Sequence, residues 1–241
     1  MRAPHCLAPA LLLLFSLLGL TIIAALIGLP RRAPNDASWR KPLVGGAFTS
    51  ILVSGILAGA FPTACSGTLH FRIPAQENTV RESPEFPSET RGFRGHHPCC
   101  GNFSAHVLRV GSTLVCAGCT GLVIGAVASI VGGAWYFFLG SSLGPYHYLV
   151  LVAGFMGVAG GLLQYHVFGW GGSSVHFLLN VFFVVGVFML LSGVDALAQS
   201  VVIDMYVIVL SVFWLYVRIL LSQLHHRRIC AACGRGLCGY R

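Results

Sequence analysis

The sequence predicts an all-α membrane protein: a six-helix transmembrane bundle carrying a small cytoplasmic zinc-knuckle and β-hairpin element. Three observations lead there. Of 241 residues, 56% are hydrophobic and only 9% charged, with a mean hydropathy of +0.79, whereas an ordinary soluble domain carries about 25% charged residues. Several apolar runs approach the roughly 20 residues that a helix needs to cross a bilayer. Thiol and imidazole groups are bunched in two places, residues 96–119 and 225–238, instead of being scattered as packing residues would be.

Residues 10–29 form an unbroken apolar run behind Met1 and Arg2, longer than the usual core of a signal peptide. They are expected to be a retained first span, followed by a polar connector with Arg31, Arg32, Arg40 and Lys41 and a second span over residues 43–61. Gly55 and Gly59 in that span are placed for close helix approach. Residues 62–95 turn to Pro, Ser, Thr and Glu, too poor in large apolar side chains to bury a core, and read as a mobile polar loop whose glutamates form a solvated face. Residues 96–120 form the ligand-bearing knuckle and hairpin: 106–110 and 113–116 are strand-like, with Gly111-Ser112 as the turn. Four further spans are expected at about 121–139, 148–163, 175–191 and 201–221, together a four-helix unit over 121–222, with turns near Pro145, Gly169 to Gly172, and Asp195. Gly121 with Gly125, and Gly157 with Gly161, have close-approach spacing. The Cys-rich tail is 223–241.

Parity then sorts the chemistry onto faces. An even number of spans separates the N-terminus, the 62–111 loop, the Gly169 turn and the tail, so these share one face with all nine cysteines and every histidine except His147. That face also holds 11 of the 15 Lys and Arg residues, against 4 in the 30–42 connector. The basic excess marks it as cytoplasmic, where thiols stay reduced and free for metal. The expected location is the plasma membrane of a prokaryote, with both termini in the cytoplasm. The formal charge of +8 follows from basic residues at membrane ends, and no basic patch interleaved with aromatics indicates nucleic acid.

The candidate metal ligands are Cys100, His106, Cys116 and Cys119, drawn from knuckle, hairpin and helix start, with His97 in reserve and Cys99 nearby. Soft donors at this spacing suit tetrahedral zinc, with iron or an iron–sulfur cluster as the alternative. Cys230, Cys233 and Cys238 make a second group, completed by His225 or His226 or joined to the first cluster. Bland readings stand beside these: Cys116 and Cys119 as small packing residues, or a redox pair. Asn102-Phe103-Ser104 matches a glycosylation acceptor but sits inside the ligand cluster.

Polar residues within the spans ask for partners. Gln164, His166, His176 and Asn180 are expected to face one another under the cytoplasmic surface, as inter-helical hydrogen bonds or as a haem or substrate pocket. Asp204, inside the last span near the opposite face, is expected to be paired or interfacial and not part of a proton relay, since no Lys or Arg is placed to make a pathway with it. Arg218 is expected to snorkel to water.

Cys116-Ala-Gly-Cys119-Thr120-Gly121 resembles the hallmark of uncharacterised prokaryotic integral membrane protein families, in which Cys-x-x-Cys-Thr-Gly opens a transmembrane helix. His96-His97-Pro98, Cys100, Phe103 and His106 are similar to an element preceding it in some of them. The resemblance covers residues 96–192, leaves out the tail, and departs where many relatives have Arg and this chain has Gly118. It implies architecture and a metal, not an activity. No phosphate loop, catalytic triad or intramembrane carboxylate pair is visible. The chain therefore reads as an accessory or structural subunit of a membrane complex, not an enzyme, with the lipid bilayer and other membrane subunits or further copies of itself as partners. A small-solute transporter or channel using His166, His176, Asn180 and Asp204 is the alternative, as is a membrane redox protein using the cysteine pairs or a haem.

Overall fold

The computed structural model describes residues 4–28, 38–60, 93–94, 101–167 and 171–232. Among them are six helices long and apolar enough to cross a membrane, the architecture of a multi-pass integral membrane protein. They are α1 (Pro4–Gly28), α2 (Arg40–Ala60), α3 (Ala117–Gly133, continued by a π-helical turn at Ala134–Phe138), α4 (His147–Val167), α5 (Ser173–Ala198) and α6 (Val201–Ala232).

Two boundaries differ from expectation in ways that matter for chemistry. α2 begins at Arg40, not at residue 43, so Arg40 belongs to a helix and is buried instead of standing in a polar connector. α6 runs on to Ala232, so residues 223–232 continue a helix and are not a separate tail. No Gly or Pro interrupts the sequence until Gly234, and without a breaker the helix has no reason to stop at the apolar boundary. Asp195, expected in a turn, lies inside α5; the reversal comes at Gln199, a left-handed residue with φ of 48°.

The hairpin forms where the sequence places it. Strands β2 (Val107–Val110) and β3 (Thr113–Cys116) pair antiparallel, Val107 opposite Cys116, around Gly111, whose φ of 61° suits a residue with no Cβ. A two-residue strand, β1 (Phe93–Arg94), adds in parallel to β3. His106 ends a short 3₁₀ turn, Gly101–His106, just before β2. Cys116 is both the last residue of β3 and the N-cap of α3, so hairpin and membrane helix are one continuous element.

α5 is the central helix, packed along its length on α4 and α3 and more lightly on α6. Glycine makes the first two contacts possible. A Cβ on Gly157 would lie 2.6 Å from the carbonyl oxygen of Phe182 and 2.9 Å from Gly186 Cα, and one on Gly121 would lie 2.5 Å from the carbonyl oxygen of Phe177. Such backbone-to-backbone contact is the membrane substitute for hydrophobic driving force, since lipid is as apolar as leucine. Gly55 does not serve this purpose: nothing approaches it within 4 Å, whereas a Cβ on Gly59 would meet Val123 at 2.7 Å. α1 is held by its packing against α6, where Trp214 Nε1 donates to the Ser16 carbonyl at 3.3 Å.

Because the obstacle at Gly157 is backbone, Gly157→Ala is expected to cost about 1–3 kcal/mol, read as a lowered unfolding midpoint in detergent, whereas Gly55→Ala leaves the midpoint unchanged or slightly higher. Equal midpoints for the two variants would refute the α4–α5 packing.

Candidate functional site

Apart from serines, the polar side chains buried in the bundle collect at its two ends. At the hairpin end, four imidazoles converge from three separate parts of the chain. The His106 ring, brought in by the 3₁₀ turn, stacks on His176 of α5 at a centroid distance of 4.4 Å, and lies 5.4 Å from His225 and 5.3 Å from His226 of α6. Phe103, 1% exposed, wedges against both His106 and His226, and Tyr165 of α4 packs 5.3 Å from His225. Cys116 is buried at the start of α3, and a Cβ on Gly118 would sit 3.8 Å from both Cys116 Sγ and Asn180 Nδ2. Cys119 is half-buried one turn further on.

Beneath this cluster Arg218 of α6 ties three helices together. It is buried, not snorkelling: its guanidinium donates to the Gly161 carbonyl and to Gln164 Oε1 on α4, and twice to Asn180 Oδ1 on α5, at 2.7 and 3.2 Å. The long α6 explains the difference, because Arg218 lies more than three turns from that helix's end and has no short way out. The chain of donors also decides a tautomer. Gln164 Oε1 is occupied by Arg218, so Gln164 offers its amide N–H to His176 Nδ1. A neutral imidazole accepting at Nδ1 carries its proton on Nε2, and among the described residues Nε2 of His176 has no hydrogen-bond partner while the residue is 2% exposed. His176 therefore holds a buried donor that no described acceptor takes.

Of the expected ligands, His106, Cys116 and Cys119 lie at this end together. His97, Cys100, Cys233 and Cys238 lie outside the described residues, and Cys230 is on the last turn of α6. Among the described residues, no three His, Cys, Asp or Glu side chains are arranged to hold a metal ion. Gln164, His176 and Asn180 do face one another as expected from sequence; α4 carries His166.

At the opposite end Asp204 is paired, with a cation expected in the polar connector. Arg40 Nη1 from α2 bridges two carboxylates, Asp195 Oδ1 of α5 and Asp204 Oδ2 of α6, the latter at 3.0 Å. Tyr136, turned inward by the π-helical segment after α3, donates its hydroxyl to Asp195 Oδ2 at 2.8 Å. Lys41 Nζ stands 4.4 Å over the Tyr136 ring. All four core members are buried, both aspartates completely. The signal for this cluster was in the sequence: parity places the 30–42 connector and the turn after Asp195 on one face, so Arg40 was the available cation. Nothing in the sequence distinguished Tyr136 from other interfacial aromatics.

No protein-family model, curated protein or solved structure matches the chain.

Removing the Arg218 guanidinium strands three buried acceptors, so Arg218→Leu is expected to destabilise the bundle by roughly 3 kcal/mol or more. Arg218→Lys is expected to recover little, because an ammonium cannot span acceptors on two helices as a planar fork does. Thermal unfolding in detergent checks this, and a lysine variant matching wild type would show that charge alone matters.

Proposed function

We propose that this multi-pass membrane protein binds one transition-metal ion, zinc by ligand chemistry, at the hairpin end of the bundle, and serves as a structural or accessory subunit of a membrane assembly. The observation that carries the reading is the meeting of His106 with His225 and His226, more than a hundred residues away in sequence, beside the Cys116 and Cys119 pair. His106, Cys116 and Cys119 are the proposed donors with His225 or His226 as the fourth, and because no three such side chains among the described residues are arranged around an ion as they stand, binding would require them to turn toward one another. Cys100 is the competing fourth ligand. Two thiolates with two imidazoles make a closed tetrahedral set of the structural kind, with no open position for substrate.

The surroundings suit that role. Cys116 and Cys119 occupy the start of α3, where unpaired backbone N–H groups favour anionic sulfur. His176, stacked on His106, carries a buried Nε2–H without a hydrogen-bond partner among the described residues, the kind of donor that metal sulfur commonly receives as an outer-shell contact. Bound metal would tie the hairpin, α3 and α6 together, contributing on the order of 10 kcal/mol to local folding. Arg218, through Gln164, would hold His176 in the tautomer that does this.

Protein purified without chelators is expected to contain about one zinc per chain by elemental analysis, and Cys116→Ser/Cys119→Ser to contain none. Cobalt substitution is expected to give a thiolate charge-transfer band in wild type that weakens in His106→Ala. Metal-free wild-type protein, or full metal content in the double serine variant, would sink the proposal.

A further inference from the structure

We propose that Asp195 and Asp204 form a binding site for a single proton, carried on Asp204 Oδ1 and exchanged through the cavity beside Arg40. The inference is independent of the metal reading, since it concerns the other end of the bundle.

The four carboxylate oxygens can be accounted for one by one. Asp195 Oδ1 takes Arg40, Asp195 Oδ2 takes the Tyr136 hydroxyl, and Asp204 Oδ2 takes Arg40. Among the described residues Asp204 Oδ1 has no hydrogen-bond partner, in a residue with no exposed surface. A bare carboxylate oxygen in an apolar bundle carries an uncompensated desolvation cost. The donors bonded to the two carboxylates are Arg40 from α2 and Tyr136 from the turn after α3, while Lys41 stands over the Tyr136 ring and borders the same cavity. Within the bonded group one guanidinium faces two carboxylates, so that group is neutral only if one carboxyl keeps its proton. The proton belongs on Asp204, because Asp195 is the one whose two oxygens both already accept hydrogen bonds. Two carboxyl groups this close share one proton more readily than they both ionise.

The site has a way out. A cavity of about 190 Å³ reaches Arg40 and Asp195 and is bordered by Lys41, Tyr136, His147 and Gln199. On release, the Asp204 O–H bond breaks, its electron pair stays on Asp204, and the proton passes to water by way of Asp195, the carboxyl of the pair that borders the cavity. The cluster is then left with one net negative charge, and two carboxylates repel across the turn joining α5 to α6.

The chain has three aspartates, Asp36, Asp195 and Asp204, so carbon-13 labelling of aspartate side-chain carboxyls gives a spectrum simple enough to assign in lipid bilayers. The expected result at neutral pH is one neutral carboxyl, which ionises as pH rises and is missing from Asp204→Asn. In Asp195→Asn it is also missing, because Asp204 then has Arg40 to itself and ionises. Asp36→Asn retains it. Three ionised carboxyls in wild type would overturn the proposal without recourse to any variant, as would a neutral signal that survives in Asp204→Asn. A wild-type Asp204 signal that is ionised and moves on adding sodium would overturn it in favour of a cation site.

Discussion

A guanidinium buried in an apolar bundle has to find all its acceptors inside, and this constraint shapes both ends of the molecule. Arg40 and Arg218 each reach across three helices: Arg40 joins α2 to α5 and α6, and Arg218 joins α6 to α4 and α5. Neither can leave without stranding its partners, a loss that costs several kcal/mol for a buried ion pair. Hydrophobic burial does not select one packing among membrane helices, because lipid satisfies apolar surface equally well. The two arginines, with the glycine contacts of α5, supply the selection.

They also set the register of the α5–α6 hairpin. Asn180 and Asp195 are about 15 residues apart on α5, and Asp204 and Arg218 about 14 apart on α6, each roughly 21–22 Å of helix. On antiparallel helices reversing at Gln199, these matched spacings put Asn180 level with Arg218 and Asp195 level with Asp204. A slip of one turn would break both layers together. Between them Val187, Leu190, Leu191, Val207 and Trp214 are buried and fill the section. The polar residues that a transporter reading would string into a path are thus divided between two ends by packed apolar side chains.

Much of this was legible in sequence. The six spans follow from hydropathy, the hairpin from alternation around Gly111-Ser112, and the common position of His106, Cys116 and the α6 histidines from the parity of crossings. What was not legible has two physical sources. Hydropathy marks where a helix enters lipid, not where it ends: residues 223–232 were assigned to a tail although no breaker precedes them, and Arg40 to the connector because Pro42 follows it, although proline is tolerated in a helix's first turn. A buried cation is also indistinguishable from a snorkelling one until its neighbours are known. Arg218 lies near the apolar boundary of its run, and only the placement of Gly161, Gln164 and Asn180 around it shows that the side chain turns inward.

The same logic assigns different work to the two ends. At the hairpin end the unpaired group among the described residues is a donor, His176 Nε2–H, held in that tautomer by Gln164 and Arg218, and the nearby thiols would be thiolates, and so acceptors, in the proposed metal site. At the opposite end the unpaired group is an acceptor, Asp204 Oδ1, and what completes it is a proton. α5 and α6 contribute to both clusters: His176 and Asp195 on one, Asp204 and His225 on the other. Loss of the proton loads charge onto the reversal at Gln199, and the helices that would separate there are those that set the spacing of His176 from His225. Any outward movement of α6 at the aspartate end is transmitted along a helix that Arg218 pins to α4 and α5, so the arginine layer is the fulcrum on which an effect of one end on the other would turn.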